Sequence, residues 1–185
     1  QPRSRGLGDV YKRQGGASAR KSGLLERVEN CLKEENISFV ELGGVVANPE
    51  LSLVREGIAI GKREGVDFVL AVGGGSVLDS SKAIANGLAN PDVDVWDFSL
   101  GKAAPARTLP KGAILTLAAA GSEMSSSCVI TNAATGEKRG YNSSFNRMNF
   151  AIENPVLTYT VNPYQTACGL SLIHISEPTR PRLIS

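Results

Sequence analysis

One stretch constrains this chain more than any other. Asp67 to Val72 (DFVLAV) is an apolar, β-branched-rich run that stops at Gly73-Gly74-Gly75, and Val77 to Leu88 then continues in good helix formers such as Ala83, Ile84 and Ala85. A continuous apolar strand is one buried on both faces, which is the condition of a strand inside a parallel sheet with helices above and below. The rest of the chain alternates in the same way. Helical spacing runs from Ser18 to Glu35 through Leu24, Leu25, Val28, Cys31 and Leu32, and again from Glu50 to Glu64 through Leu51, Val54 and Ile58. Strand-like runs lie at Ile37–Leu42, Gly112–Leu117 and Asn149–Glu153, and a helix is expected from Pro163, since proline is welcome in a first turn. Cys128–Asn132 and Glu137–Tyr141 flank Ala133-Ala134-Thr135-Gly136 as a hairpin. The fold class is therefore α/β with a parallel, Rossmann-like sheet.

The glycine loop is also the sharpest chemical signal. Without β-carbons, backbone amides approach an anion closely and positive φ is allowed. The helix that follows offers unpaired N–H groups and the positive end of its dipole, a receptor suited to a pyrophosphate. The loop is not a P-loop, for it lacks GK[ST], and its spacing is not GxGxxG. By itself it reads as a phosphate site or as a tight turn without ligand. Ser76 and Asp79 are spaced as a capping box, a role compatible with either.

The two ends stand apart. DVYKRQ (Asp9–Gln14) is the translation of GAT GTG TAT AAG AGA CAG, and LSLIHI (Leu170–Ile175) is that of the same end reversed and complemented, CTG TCT CTT ATA CAC ATC. Both resemble adapters of transposon-based library preparation. Residues 1–14 and 170–185 are accordingly read as adapter-derived tails around an α/β domain at 15–169. The tails carry six Lys/Arg and two Asp/Glu, so the formal +2 of the whole chain becomes −2 for the remainder, which removes any reason to expect a nucleic-acid surface. The sole histidine, His174, lies in the second tail and is given no role. No apolar run approaches the ~20 residues needed to span a bilayer. Three widely spaced cysteines, Cys31, Cys128 and Cys168, form no CxxC pair; each reads as a small core residue, and a reducing cytoplasm is the expected compartment.

GGGSVLDSSKAIA from Gly73 resembles the cofactor loop of the iron-containing (group III) alcohol dehydrogenases. Four further segments agree in order and spacing, namely GGASARKSGL from Gly15, GGVVANPELS from Gly43, AAAGSEMSSSCVITNAATGEKRGYNS from Ala118 and ENPVLTYTVNPYQTACG from Glu153. WDF at Trp96–Phe98 fits the butanol dehydrogenase branch. The resemblance implies that Gly74, Gly75 and Ser76 hold a pyrophosphate, with Asp79 in the same motif and Gly16 and Ser18 in the opening loop. Asn48 matches a position near the adenosine side, or is simply a loop residue before Pro49. Thr116, Ser122 and Ser125 match the loop lining the nicotinamide end, where hydroxyls can bond ribose or phosphate oxygens; Ser125 serves equally as a turn residue. Lys138 matches a lysine beside the nicotinamide ribose, against a solvated lysine at a hairpin. Leu157 matches an apolar cofactor contact, against ordinary packing.

The opening loop presents Ser18, Arg20 and Lys21 and no carboxylate, which favours NADP over NAD unless both cations merely face solvent. Ala118 and Ala120 stand where the family often has proline and threonine. The family's metal, Fe2+ or Zn2+, would take an aspartate and a histidine at the positions of Leu172 and Ser176, so its ligands are missing, no catalytic residue can be named and a chain of this extent is expected to be inactive. The resemblance further implies a small aldehyde or alcohol as substrate and a homo-oligomer, a dimer, for the longer parent. A dehydroquinate synthase-like lyase and a non-catalytic nucleotide-binding module are the alternatives.

Overall fold

The computed structural model describes residues 5–9, 22–45, 47–159 and 161–174, with the backbone alone at 5–9 and 169–174. The elements are β1 (Arg5–Asp9), α1 (Leu24–Glu34), β2 (Ser38–Leu42), α2 (Leu51–Glu64), β3 (Phe68–Gly73), α3 (Gly75–Ala89), α4 (Val95–Ser99), β4 (Lys111–Leu115), β5 (Ser127–Asn132), β6 (Glu137–Asn142), β7 (Phe150–Ile152) and α5 (Pro163–His174). Five strands form one sheet in the order β2-β1-β3-β4-β7, every neighbouring pair parallel. β5 and β6 form a separate antiparallel hairpin. The order reverses between β1 and β3, which makes the carboxyl ends of those strands the switch-point crevice of a doubly wound sheet.

Alternation along the strands explains the layers. Val69 and Ala71 of β3, with Ala113 and Leu115 of β4, join the clusters that contain Val54, Leu78 and Ile84 from α2 and α3. Val72 of β3 and Ile114 of β4 join Leu24 and Leu25 of α1 instead. Helices thus cover both faces, as the continuous apolar character of β3 requires. α2 and α3 touch at close range because glycines stand at their contact. A β-carbon at Gly57 would lie 2.6 Å from Ile84 Cδ1, one at Gly61 2.8 Å from Leu88 Cδ1, and one at Gly87 would collide with Ile58. α2 then ends at Gly65, whose φ of 66° closes the helix in the left-handed region with its N–H on Gly61 O.

The first strand departs from expectation. Residues 1–14 are set aside above as a tail, yet Arg5–Asp9 fills the slot between β2 and β3, Leu7 pairing with Val40 and Val69. A strand ladder is made by backbone groups, so RGLGD can occupy the slot without the apolar pattern by which strands are found. α4 was also not foreseen; Asp94 caps it by accepting from Trp96 N at 2.9 Å, and Trp96 and Phe98 are buried. Of the cysteines, Cys128 is buried as expected, whereas Cys31 and Cys168 are exposed.

Lys111 at the start of β4 is wholly buried, its ammonium donating to Thr108 Oγ1 at 2.9 Å. Burial, and then the neighbouring Lys82 charge, push its pKa down to about 8 from 10.5. Here the folded value lies below the unfolded one. Below pH 8 both states hold the proton and the native state carries the cost of a buried charge; between 8 and 10.5 the unfolded chain binds more protons, so stability rises with pH. Above pH 9 the trend is opposed by Cys128, whose thiol is pushed up to about 12 chiefly by burial. Between pH 8 and 9 the wild-type melting midpoint should therefore gain about 2–4 °C relative to Lys111→Met, in which this rise disappears. Parallel thermal melts across that interval check it.

Candidate nucleotide-binding site

β3 is the middle strand of the sheet and Gly73 is its last residue. Gly74 is the N-cap of α3 with an extended backbone (φ −97°, ψ −170°), and no side chain caps the helix. Positive φ is therefore not what the three glycines supply. They supply room. A β-carbon at Gly73 would stand 2.6 Å from Val77 Cγ2, and one at Gly75 would meet nothing within 4 Å, so the main chain at the helix start faces open space. Val77 N and Leu78 N both reach Gly74 O, at 3.0 and 3.2 Å. Gly75 is exposed and Gly74 and Ser76 half-buried, so side chains do not seal the helix start. An uncapped helix N-terminus with this bare approach is the arrangement an anion needs.

The capping box expected from Ser76 and Asp79 does not form. Ser76 Oγ accepts from Asn48 N at 3.3 Å, and Lys138 Nζ donates to Asn48 Oδ1 at 2.6 Å. Three residues expected at the cofactor from separate segments are thus joined in one chain of bonds. Asn48 stands at φ 70°, a conformation asparagine tolerates better than most side chains. Its loop is pinned to the hairpin through Thr131 N to Pro49 O at 2.7 Å. Lys138 is exposed, as the sequence alone favoured, but tethered.

Asp79 turns away from the helix start. Its Oδ1 accepts from Ser122 Oγ at 2.7 Å and from Lys82 Nζ at 3.1 Å, and its Oδ2 accepts from Val129 N at 3.1 Å. Ser122 therefore spends its only hydroxyl proton on Asp79. In this arrangement it can only accept from a ligand, which suits a ribose hydroxyl or an amide N–H better than a phosphate oxygen. Thr116 N bonds Gly73 O at 3.1 Å, tying the end of β4 to the glycine loop. Ser125 Oγ accepts from Ser127 N at 3.0 Å, the turn role left open for it. Leu157 packs with Leu24, Leu25, Val72 and Ile114, the packing role left open for it. Gly16, Ser18, Arg20 and Lys21 lie outside the described residues. Sequence reasoning passed over Lys82, although a lysine amid Ala83, Ile84 and Ala85, three residues after an aspartate, is the signature of a buried ion pair.

Among the described residues no group of three or more His, Cys, Asp or Glu could hold a metal ion. Leu172 stands at the position where the resemblance implies the first ligand. A cavity of about 270 Å³ lies elsewhere, lined by Arg55, Ile58, Lys62 and Pro91–Val95. Its main charges are satisfied internally, Arg55 pairing with both Asp94 oxygens at 2.9 and 3.0 Å. That pairing raises the Arg55 pKa and lowers that of Asp94.

Residues 12–155 match the family model described as iron-containing alcohol dehydrogenase. The chain belongs to the iron-containing alcohol dehydrogenase family. It is 47% identical over 165 residues to the probable NADH-dependent butanol dehydrogenase 1 of Bacillus subtilis, a match covering 88% of this chain and 42% of that protein. It is 36% identical over 167 residues to the NADPH-dependent aldehyde reductase YqhD of Escherichia coli, covering 88% of this chain and 43% of that one. The crystal structure of NADH-dependent butanol dehydrogenase A from Thermotoga maritima superposes with a TM-score of 0.84 at 40% identity, covering 91% of this chain and 42% of the other. The chain therefore spans about two fifths of the length of these relatives, and the fold of that part is theirs. Among the described residues no helix is long and apolar enough to cross a membrane.

Gly75→Ala separates folding from binding. The added methyl meets no protein atom, so the melting midpoint should stay the same or rise slightly, because alanine narrows the unfolded ensemble. Dinucleotide affinity should fall about tenfold, roughly 1.4 kcal/mol, because the methyl occupies the anion's approach. Calorimetric titration beside a thermal melt reads both.

Proposed function

We propose that this chain is the nicotinamide dinucleotide-binding part of an alcohol dehydrogenase of the butanol dehydrogenase type, whose longer parent interconverts a small aldehyde and its primary alcohol. The observation that carries the reading is the open, uncapped start of α3 at the end of the middle strand, with Asn48, Ser76 and Lys138 bonded together beside it. Gly74, Gly75 and Ser76 hold the pyrophosphate by main-chain N–H groups. Asn48 and Lys138 border it on the hairpin side, and Thr116 and Ser122 border the other. When bound, NAD(P)H supplies the hydride delivered to the carbonyl carbon. The chain's own part is to bind the dinucleotide and orient its nicotinamide ring. Family membership favours a dehydrogenase over a dehydroquinate synthase-like lyase. The role proposed for these 185 residues is binding of the dinucleotide, and no step is assigned to Fe2+ or Zn2+.

Two observations pull apart on the choice of dinucleotide. Ser18, Arg20 and Lys21 without a carboxylate suit a 2′-phosphate. The Bacillus subtilis relative at 47% identity is named NADH-dependent, and the Escherichia coli relative at 36% NADPH-dependent. Titration of the chain with NADH and with NADPH, followed by nicotinamide fluorescence, decides between them and tests the reading itself. Saturable binding of at least one is expected, and a chain that binds neither would refute the function. Butanal with either cofactor and added Fe2+ or Zn2+ should give no oxidation of NAD(P)H above background; metal-dependent turnover would show that a metal site exists after all.

A further inference from the structure

Lys82 belongs to none of the expected cofactor contacts, and it cannot touch a ligand because its side chain is fully buried. Its ammonium nevertheless makes three bonds, to Asp79 Oδ1 at 3.1 Å, Ser122 Oγ at 2.8 Å and Ser127 O at 2.7 Å. An ammonium has three protons, and each is used on a different segment, namely α3 itself, the loop that follows β4 and the first residue of β5. Asp79, only 17% exposed, needs this cation, since Ser122 and Val129 N alone leave a carboxylate charge inside the protein unopposed. The loop from Thr116 to Ser126 has little other anchorage on α3. Within it Met124 N bonds Gly121 O and Ser125 N bonds Ser122 O, both local turns, and Gly121 sits at φ 68°.

We propose that Lys82 is a positioning residue, which locks Ser122 and its loop against α3 so that the nicotinamide half of the dinucleotide finds a preformed wall while the adenosine half does not depend on it. The inference rests on the dinucleotide reading given above and adds a division of labour within it. The pyrophosphate is held by main chain at the start of α3, independently of Lys82. The nicotinamide side is held by a loop whose hydroxyl orientation Lys82 and Asp79 fix together. Removing the ammonium leaves Ser122 with its bond to Asp79 alone and Ser127 O without its donor, which loosens the hold of the loop on α3.

The test compares two ligands on the 185-residue chain. NADH and ADP-ribose are titrated calorimetrically into wild type and into Lys82→Met, which keeps the length of the side chain without its charge, and amide hydrogen exchange is followed over residues 118–126. If the chain prefers NADPH, the pair becomes NADPH and 2′-phospho-ADP-ribose. The expected result is a tenfold or greater loss of NADH affinity with less than a threefold change for ADP-ribose, and faster exchange in 118–126 while α3 stays protected. Equal losses for both ligands would make Lys82 a general structural residue and overturn the proposal, as would no loss at all. Lys82→Gln, which retains an uncharged donor one bond short of the ammonium, is the second variant and should fall between the two. If neither variant melts cooperatively, Lys82 is a folding determinant and the positioning role is refuted. Wild type binding neither ligand would defeat the dinucleotide reading and this role with it, an outcome distinct from selective or equal loss in the variants.

Discussion

Helix α3 is buried around most of its circumference, and most of the polar groups it carries find partners inside the protein, Ser81 Oγ and Asn86 Oδ1 being the exceptions among its described side chains. β3 and β4 lie on one side, α2 presses its glycines from another, and the hairpin and α4 close the rest. Ser80, Ser81, Lys82 and Asn86 are all buried as a result. Unmade bonds there would be expensive, and the hairpin is placed so as to make most of them. Lys82 and Asp79 reach Ser122, Ser127 and Val129, and Asn86 Nδ2 reaches Tyr141 OH and Asn146 Oδ1, both at 2.8 Å. Asn146 in turn donates to Ser126 O at 2.8 Å. The hairpin is not part of the sheet. It is held to the domain by the polar groups of α3, by Cys128, Ile130 and Tyr141 in the core and by Thr131 N on Pro49 O, and it brings Lys138 to Asn48 as it docks.

That arrangement gives the proposed nucleotide site two kinds of wall. At the start of α3 the wall is main chain, set by strand β3 and by the lack of side chains at Gly74 and Gly75. Toward Thr116 and Ser122 the wall is a loop secured by side chains. The first kind tolerates substitution elsewhere because backbone geometry defines it. The second depends on particular polar atoms being in place.

Much of this was legible in the sequence. The apolar run into three glycines gave β3 and the start of α3. The hairpin was readable from Ala133–Gly136, where Gly136 sits at φ 69° as such a turn asks. Other features were hidden for physical reasons. β1 is built from RGLGD, and a strand held by backbone ladders on both sides does not need an apolar signature. The capping box at Ser76 and Asp79 had the right spacing, but a carboxylate offered three donors by Lys82, Ser122 and Val129 gains more there than at a helix start. Those donors lie up to fifty positions away in the chain, and no local pattern encodes the choice. Lys138 and Asn48 were each proposed singly; that they bond one another, ninety positions apart, follows only from the docking of the hairpin.

Cys128 sits directly beneath the carboxylate hub, its thiol donating to the main-chain oxygen of Asp79 at 3.3 Å. Because it is sealed from solvent and reluctant to ionise, while Cys31 and Cys168 lie at the surface, the three thiols sort themselves by reactivity. A thiol reagent would therefore meet Cys31 and Cys168 directly and Cys128 only through an opening of the core around it, so a slow third adduct would time that opening.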